Sequence, residues 1–495
     1  YIPSTLYYDN KKYDIKIRLT GSEMDHFSSD KWSMRVKVKG DDSIMGMDEF
    51  NLMHIHTRNE LCDFVCNEIY RSEGFISLNM DFIELTLNGE KKGIYLLEER
   101  FSKIMLERNQ SREGIIFRPT NPLKIFDEKK LKNNEKFKKQ IIMLKQMYTS
   151  LLENNLPPEK VFDYDKFSKH FALVDLLNAS HQYFPYNALF YFNPVTLLIE
   201  PIGREWNSHP YHTHYGLTVE KQQPLEIVNL LLDDPDFMLK YINALQRVSD
   251  PVYLDSIFEK LDSKLNDKLA IIYSEYPYYN YPKHYLYEFQ KIIRSKLFKG
   301  NNLRAYGSKI SNLILFENHS RFPIILDNFF YRDTIINSSP LKIVISPKLA
   351  NKEPYSREIK LSKIFGSKFS KINIDDIRIE YKLQGSNFNK LQTLTVYPWP
   401  YNDPRHESWG FVKQSPNFKD FDFLSINEED KKIYFGKKEC ILDNNLIIPD
   451  GYDVICEKGT KITLRNGTSI LSYSPLKFNG SKNDSIFLEA DTNSG

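Results

Sequence analysis

Residues 178–214 read NASHQYFPYNALFYFNPVTLLIEPIGREWNSHPYHTH, and this stretch decides how the chain is read. Residues 188–192 and 197–199 are apolar runs of strand length, joined by a tight turn at Asn193-Pro194. His181 and Asn187 precede the turn. Glu205 stands where the second strand runs out, followed by Asn207, His209, His212 and His214. A hairpin with polar ligands at one end can hold a cation against a phosphate. The same pattern also builds an ordinary sheet edge, and the hairpin alone leaves both open.

Upstream, residues 1–100 alternate as strands do. Tyr13, Ile15 and Ile17 take every second place, and so do Met34, Val36 and Val38 before a turn at Lys39-Gly40. A polar loop, 21–30, separates them. Leu61, Phe64, Val65, Glu68 and Ile69 fit a helix ending near Gly74. The strongest turn signal is Asn88-Gly89, between strands at 82–87 and 93–97. Further on, helices are predicted over 128–155, 165–179, 225–232, 237–248 and 253–273, with apolar residues recurring at three and four. The lysines of the first of these read as a solvated face.

At 495 residues the chain is too long for one core. The texture changes twice, which predicts a multidomain protein. Residues 1–295 are α+β. Residues 296–438 carry short strands separated by turn residues, as in a β-sandwich. Residues 439–495 show apolar pulses (446–448, 462 and 464, 470–471) punctuated by Gly451, Gly459, Gly467 and Gly480, which predicts the start of a parallel β-helix. A solenoid needs about three coils, so the natural chain is expected to continue past Gly495.

Hydrophobic content of 41% and charged content of 27% fit a globular, soluble chain. A net charge of +2 gives no bulk field for nucleic acid, and no apolar run is long enough to span a membrane. Cys62, Cys66, Cys440 and Cys456 are too few for a disulfide scaffold and read as buried thiols. A zinc site from Cys62, Cys66, His54 and His56, or from His209, His212 and His214, is the rival reading.

Metal-assisted phosphoryl transfer needs a cation held by oxygen ligands, a cationic group on the phosphates and a group that orients the attacking hydroxyl. His181, Asn187 and Glu205 are of the right types for the last and first of these. Lys31, opening a strand, is the right type for the second. Glu98-Glu99-Arg100 reads as a solvated patch at a hairpin end.

Five segments resemble the CotH kinase family, the spore-coat protein H group of bacterial atypical kinases. Asn88-Gly89-Glu90, with Gly93, Tyr95 and Glu99, is similar to the family's NGE-x-x-G-x-Y-x-x-x-E segment. Arg18, Gly21 and Ser22 resemble its R-x-x-G-x-S segment. Lys31-Trp32-Ser33 resembles its KKS-aromatic segment, Asn187 to Tyr191 its N-x-x-x-Y strand, and Pro201 to Glu205 its P-x-x-x-D segment. The resemblance covers roughly residues 1–292. It implies a distant protein-kinase-like fold that binds ATP and Mg²⁺ (or Mn²⁺) and phosphorylates serine or threonine of a surface or secreted protein. It places Lys31, with Arg18 and Glu99, at the nucleotide, Glu205 and Asn187 at the metal, and His181 where many members have the catalytic Asp; Asn207 is expected as a compensating second metal ligand. Glu205 stands for the family's metal-binding Asp. These two departures put phosphoryl transfer in question, because it depends on positioning. An extracytoplasmic location is the matching expectation. The alternative is a non-catalytic surface protein that uses the kinase-like part as a scaffold and binds polysaccharide through its β-rich modules.

Overall fold

The computed structural model describes residues 1–21, 23–27, 30–208, 217–298, 303–308, 312–337, 343–349, 352–366, 372–387, 391–398, 416–436, 438–465 and 468–490. Ser22, His209, His212 and His214 lie outside the described residues.

The chain opens with six strands: β1 (Ile2–Tyr8), β2 (Lys11–Leu19), β3 (Met34–Val38), β4 (Glu49–His54), β5 (Met80–Leu87) and β6 (Glu90–Glu99). They form one antiparallel sheet in the order β1-β2-β3-β4-β6-β5. Side chains alternate across a strand. Val36, Val38, Phe50, Leu52, Tyr95 and Leu97 therefore fill one apolar cluster. Met53, Ile94 and Leu96 fill another, shared with helix α1 (Cys62–Ser72). On that second face the register sets Arg18 beside Arg35, Arg35 beside Asn51 and Asn51 beside Glu98. A polar row thus crosses four strands.

After α2 (Lys103–Arg108) comes a second sheet. It contains β7 (Ile115–Arg118), β8 (Lys124–Ile125), β9 (Leu189–Phe192) and β10 (Ile199–Ile202), in the order β10-β9-β7-β8. The second strand of the predicted hairpin sits later than 197–199. Leu197 takes a positive φ of 59° in the connection, and Leu198 follows it there before pairing resumes at Ile199. The lysine-rich stretch predicted as one helix is two, α3 (Glu128–Leu131) and α4 (Glu135–Leu152). Asn134 breaks it: its extended backbone and its side chain, which accepts from Lys136 N, cap a new helix.

Helices α5 (Tyr164–Leu176), α6 (Glu226–Asp233), α7 (Pro235–Val248), α8 (Pro251–Tyr273) and α9 (His284–Phe298) complete this part. Asp163, Asp234 and Asp250 each accept backbone N–H groups at a helix start. Phe167, Phe171, Tyr183, Phe237 and Tyr241 interlock edge to face between α5 and α7. α8 lies against β5 and α1, so the end of that helix reaches the first sheet.

Inside this layer Asp175 is buried. Its carboxylate accepts from Thr218 N at 2.6 Å, Thr218 Oγ1 at 2.7 Å and Tyr241 Oη. Burial pushes its pKa up to about 7, against those hydrogen bonds. The folded state then holds a proton that the unfolded chain releases near pH 3.8, so Asp175 contributes stability that fades as pH rises toward 7. Asp175→Asn carries no such loss. In urea melts at pH 5 and pH 8, the variant is expected to gain on the wild type with rising pH, by about 2–3 kcal/mol. A pH-independent difference would show that Asp175 is ionised throughout.

Two further sheets follow α9. One pairs Leu303–Ser308, Leu313–Asn318, Tyr355–Lys360 and Tyr397–Pro398. The other is built on Ile324–Tyr331 and Ile377–Leu383. Their apolar faces join the core of the preceding helices, and Gln246 of α7 bonds the backbone of Gly385 and Asn387. A separate core begins at Phe418. There one antiparallel pair, Leu424–Asn427 with Lys432–Phe435, is followed by parallel pairing: Ile433 beside Val454, Cys440 beside Ile462, Ile447 beside Leu471. The protein is multidomain, mixing helices with several sheets. No helix among the described residues is long and apolar enough to cross a membrane. The four cysteines are buried, and none of them forms a disulfide.

Candidate active site

The polar row of the first sheet ends at Glu98, which is 2% exposed. Asn51 Nδ2 donates to Glu98 Oε1 at 3.0 Å, and Arg58 Nε donates to Glu98 Oε2 at 3.1 Å. Arg58 lies just past β4, where a short 3₁₀ turn brings it back over the sheet. It also reaches Asp63 of α1 at 3.9 Å and Glu205 at 3.3 Å. One guanidinium therefore ties the first sheet, α1 and the segment after β10 together. Burial would raise the Glu98 pKa, but Arg58 and Arg204 outweigh it and hold the group below the usual carboxylate range. Asp63 goes the other way. Burial pushes it up to about 7, although Arg58 and the Asn207 N–H oppose the rise.

Glu205 sits at a positive φ of 46°, as does Asn207 at 48°. Its carboxylate is shared between Arg204 and Arg58. Gln182 fixes this bend by donating to the backbone carbonyls of Arg204 and Glu205. Gln182 belongs to the short 3₁₀ turn Ser180–Tyr183, which also carries His181. Asn187 folds back so that its Nδ2 donates to His181 Nε2 at 2.8 Å. That leaves His181 Nδ1 as the protonated nitrogen, buried and without a hydrogen-bond partner. Burial lowers the His181 pKa, and Arg58 and Arg204 lower it further, so the ring is neutral at pH 7.

The structure thus gathers His181, Asn187 and Glu205 around Arg58 and Arg204. Lys31 is held elsewhere. Its ammonium pairs with Glu275, just past α8, and lies 3.2 Å from Tyr276 Oη. Ile94 N donates to the same Glu275 carboxylate at 2.5 Å. Gly93 makes this approach possible: a Cβ there would lie 2.2 Å from Glu275 Oε2, and its φ is +77°. Arg18 lies toward the free edge, over the Tyr1 ring and on the Leu19 carbonyl. Glu99 alternates to the opposite face from Glu98. There it pairs with Arg108 and accepts from Asn79 N. Asn207 is exposed, with its backbone N–H on Asp63.

Mg²⁺ asks for about six hard oxygen ligands in octahedral geometry. The expected donors are Glu205, Asn187 and Asn207. Two guanidiniums already neutralise Glu205, whereas Asn187 gives its Nδ2 to His181 and keeps its Oδ1 for another partner. Among the described residues, no group of three His, Cys, Asp or Glu is arranged to hold a metal. In this arrangement the carboxylate of the set is held by arginines and does not face Mg²⁺ or Mn²⁺ as an open ligand.

Sequence reasoning missed Arg58, Glu98, Arg204 and Glu275. Strand alternation was the available signal for Glu98: adjacent residues on one strand face opposite ways, so Glu98 and Glu99 cannot share one solvated patch.

A sheet packed on one helix, a helical layer and a network of buried ion pairs between them form the frame of this part of the chain. The sequence model of the family described as CotH kinase protein matches residues 17–198, which supports the family assignment of that part of the chain. No curated protein matches the chain.

Proposed function

We propose that the part of the chain up to α9 binds ATP between the first sheet and the segment 181–207. It acts there as an atypical kinase of the CotH type on serine or threonine of a surface or secreted protein. The observation that carries this reading is the Lys31–Glu275 pair, a half-buried ammonium fixed by a carboxylate at the sheet, as a phosphate-binding lysine needs. The family match supports it. Neutral His181 has the protonation state of a group that orients or accepts a proton from a hydroxyl. In the same reading, the two sheets after α9 form a β-sandwich-like accessory module, and the parallel-paired strands beyond residue 438 open a β-helix.

The engagement of Glu205 by two arginines and of His181 by Asn187 favours a second reading, a nucleotide-binding scaffold without phosphoryl transfer. The test is thermal melting with ATP, followed by transfer of labelled γ-phosphate to a serine-rich acceptor. ATP at about 100 times its Kd is expected to add roughly 2.7 kcal/mol of stability. Stabilisation with transfer supports the kinase. Stabilisation without transfer supports the scaffold. No stabilisation at millimolar ATP defeats both.

A further inference from the structure

Three arginines meet where the first sheet, the second sheet and the Glu205 bend come together. Arg100 follows β6, Arg118 ends β7 and Arg204 precedes Glu205. Arg204 and Arg100 both lie over the Phe101 ring, at 5.0 and 5.7 Å from its centre. Phe126 stands edge-on to Phe101 at 5.2 Å, and Arg118 lies 5.5 Å over Phe126. The rings hold the guanidiniums by their faces and leave their N–H edges free to donate.

Several of those nitrogens lack a hydrogen-bond acceptor. Arg204 is 6% exposed, and its Nε and Nη1 are buried without a hydrogen-bond partner. Arg100 Nε and Arg118 Nε are likewise buried and unpartnered. Glu49 stands 3.5 Å from Arg100 Nε, and Glu205 takes the outer edge of Arg204. Arg118 has no carboxylate partner among the described residues. Three guanidiniums therefore share two carboxylates, Glu49 and Glu205, and Glu205 is shared with Arg58 as well. Buried donors without acceptors are rare in folded proteins, and several beside one another call for an anion.

We infer that Arg100, Arg118 and Arg204 form a polyphosphate site that binds the phosphate chain of a nucleoside triphosphate without a divalent cation. This rests on the ATP reading above and changes how the phosphates are held. Guanidiniums supply the counter-charge that Mg²⁺ supplies in other kinases. It accounts for the one observation that reading leaves over, a metal carboxylate tied up by two arginines.

The experiment is calorimetric titration of the full chain with ATP and with inorganic tripolyphosphate, each with Mg²⁺ and with EDTA. The proteins are the wild type, Arg118→Ala, Arg204→Ala and Lys31→Ala. Arg118 ends an edge of the cluster and its substitution is the milder one for folding. The expected result is that both ligands bind equally well in EDTA and that Arg118→Ala and Arg204→Ala each weaken binding about tenfold. Binding that requires Mg²⁺, or that neither arginine variant changes, overturns the inference. ATP binding that depends on Lys31 alone leaves the kinase reading standing and removes this one. Tripolyphosphate binding through the arginines with no gain from adenosine does the reverse. Absence of binding by either ligand removes both.

Discussion

Replacing Arg58 by methionine is expected to cost about 3–5 kcal/mol of stability, because it strands a buried carboxylate. Arg58 is the shared cation of Glu98, Asp63 and Glu205. The three will not lose equally. Glu205 keeps Arg204. Asp63, already pushed up to about 7, takes up a proton at modest cost. Glu98 carries the loss. It is 2% exposed and keeps only Asn51 as a direct donor. The double variant Arg58→Met with Glu98→Met is therefore expected to recover most of the deficit, since an apolar pair of similar volume replaces the ions. The pH dependence gives a second readout. Without Arg58, burial raises the folded pKa of Glu98 above its unfolded value. The deficit should then grow as pH rises above about 5 and shrink below it. Urea midpoints of the wild type and both variants at pH 5 and 7.5 measure this. A single variant as stable as the wild type would mean that water, not Arg58, satisfies Glu98.

What was legible in the sequence was local. Asn88-Gly89 sets the turn between β5 and β6, with both residues at positive φ. The period of α5, α7 and α8 follows from apolar spacing alone. His181 and Asn187 are six residues apart, and a short turn brings them together. The partners that set the chemistry were not local. Glu275 meets Lys31 across 244 residues, and no spacing rule reaches that far. Arg58 follows a strand in a stretch with no cap or turn signal. The family resemblance marked Glu99, whereas the sheet turns Glu98 toward Arg58 and Glu99 toward Arg108. The motif glycine Gly93 was legible as a residue type. Its reason, room for the Glu275 carboxylate, appears only in three dimensions.

Lys31→Ala is expected to weaken ATP binding by about ten- to a hundredfold, the worth of one charge-assisted contact of about 1.5–3 kcal/mol. The argument starts from what holds Lys31. Burial would raise the Glu275 pKa, but the lysine and the Ile94 N–H outweigh it and keep the carboxylate ionised. The ammonium therefore has a fixed counter-ion and a fixed place, and little side-chain freedom is left to lose when a phosphate arrives. Glu275→Gln tests that half of the argument. It keeps a hydrogen-bonding oxygen for Ile94 but removes the charge, so the lysine loses its anchor. A smaller loss of affinity than for Lys31→Ala is expected, with unliganded stability nearly unchanged because the Glu275 side chain is 29% exposed. Lys31→Arg should not rescue binding, since Gly93 leaves room for an ammonium against Glu275 rather than for a planar fork. Should Lys31→Ala bind ATP as the wild type does, the lysine is a strut between the sheet and the end of α8. The phosphates would then rest on the arginines alone.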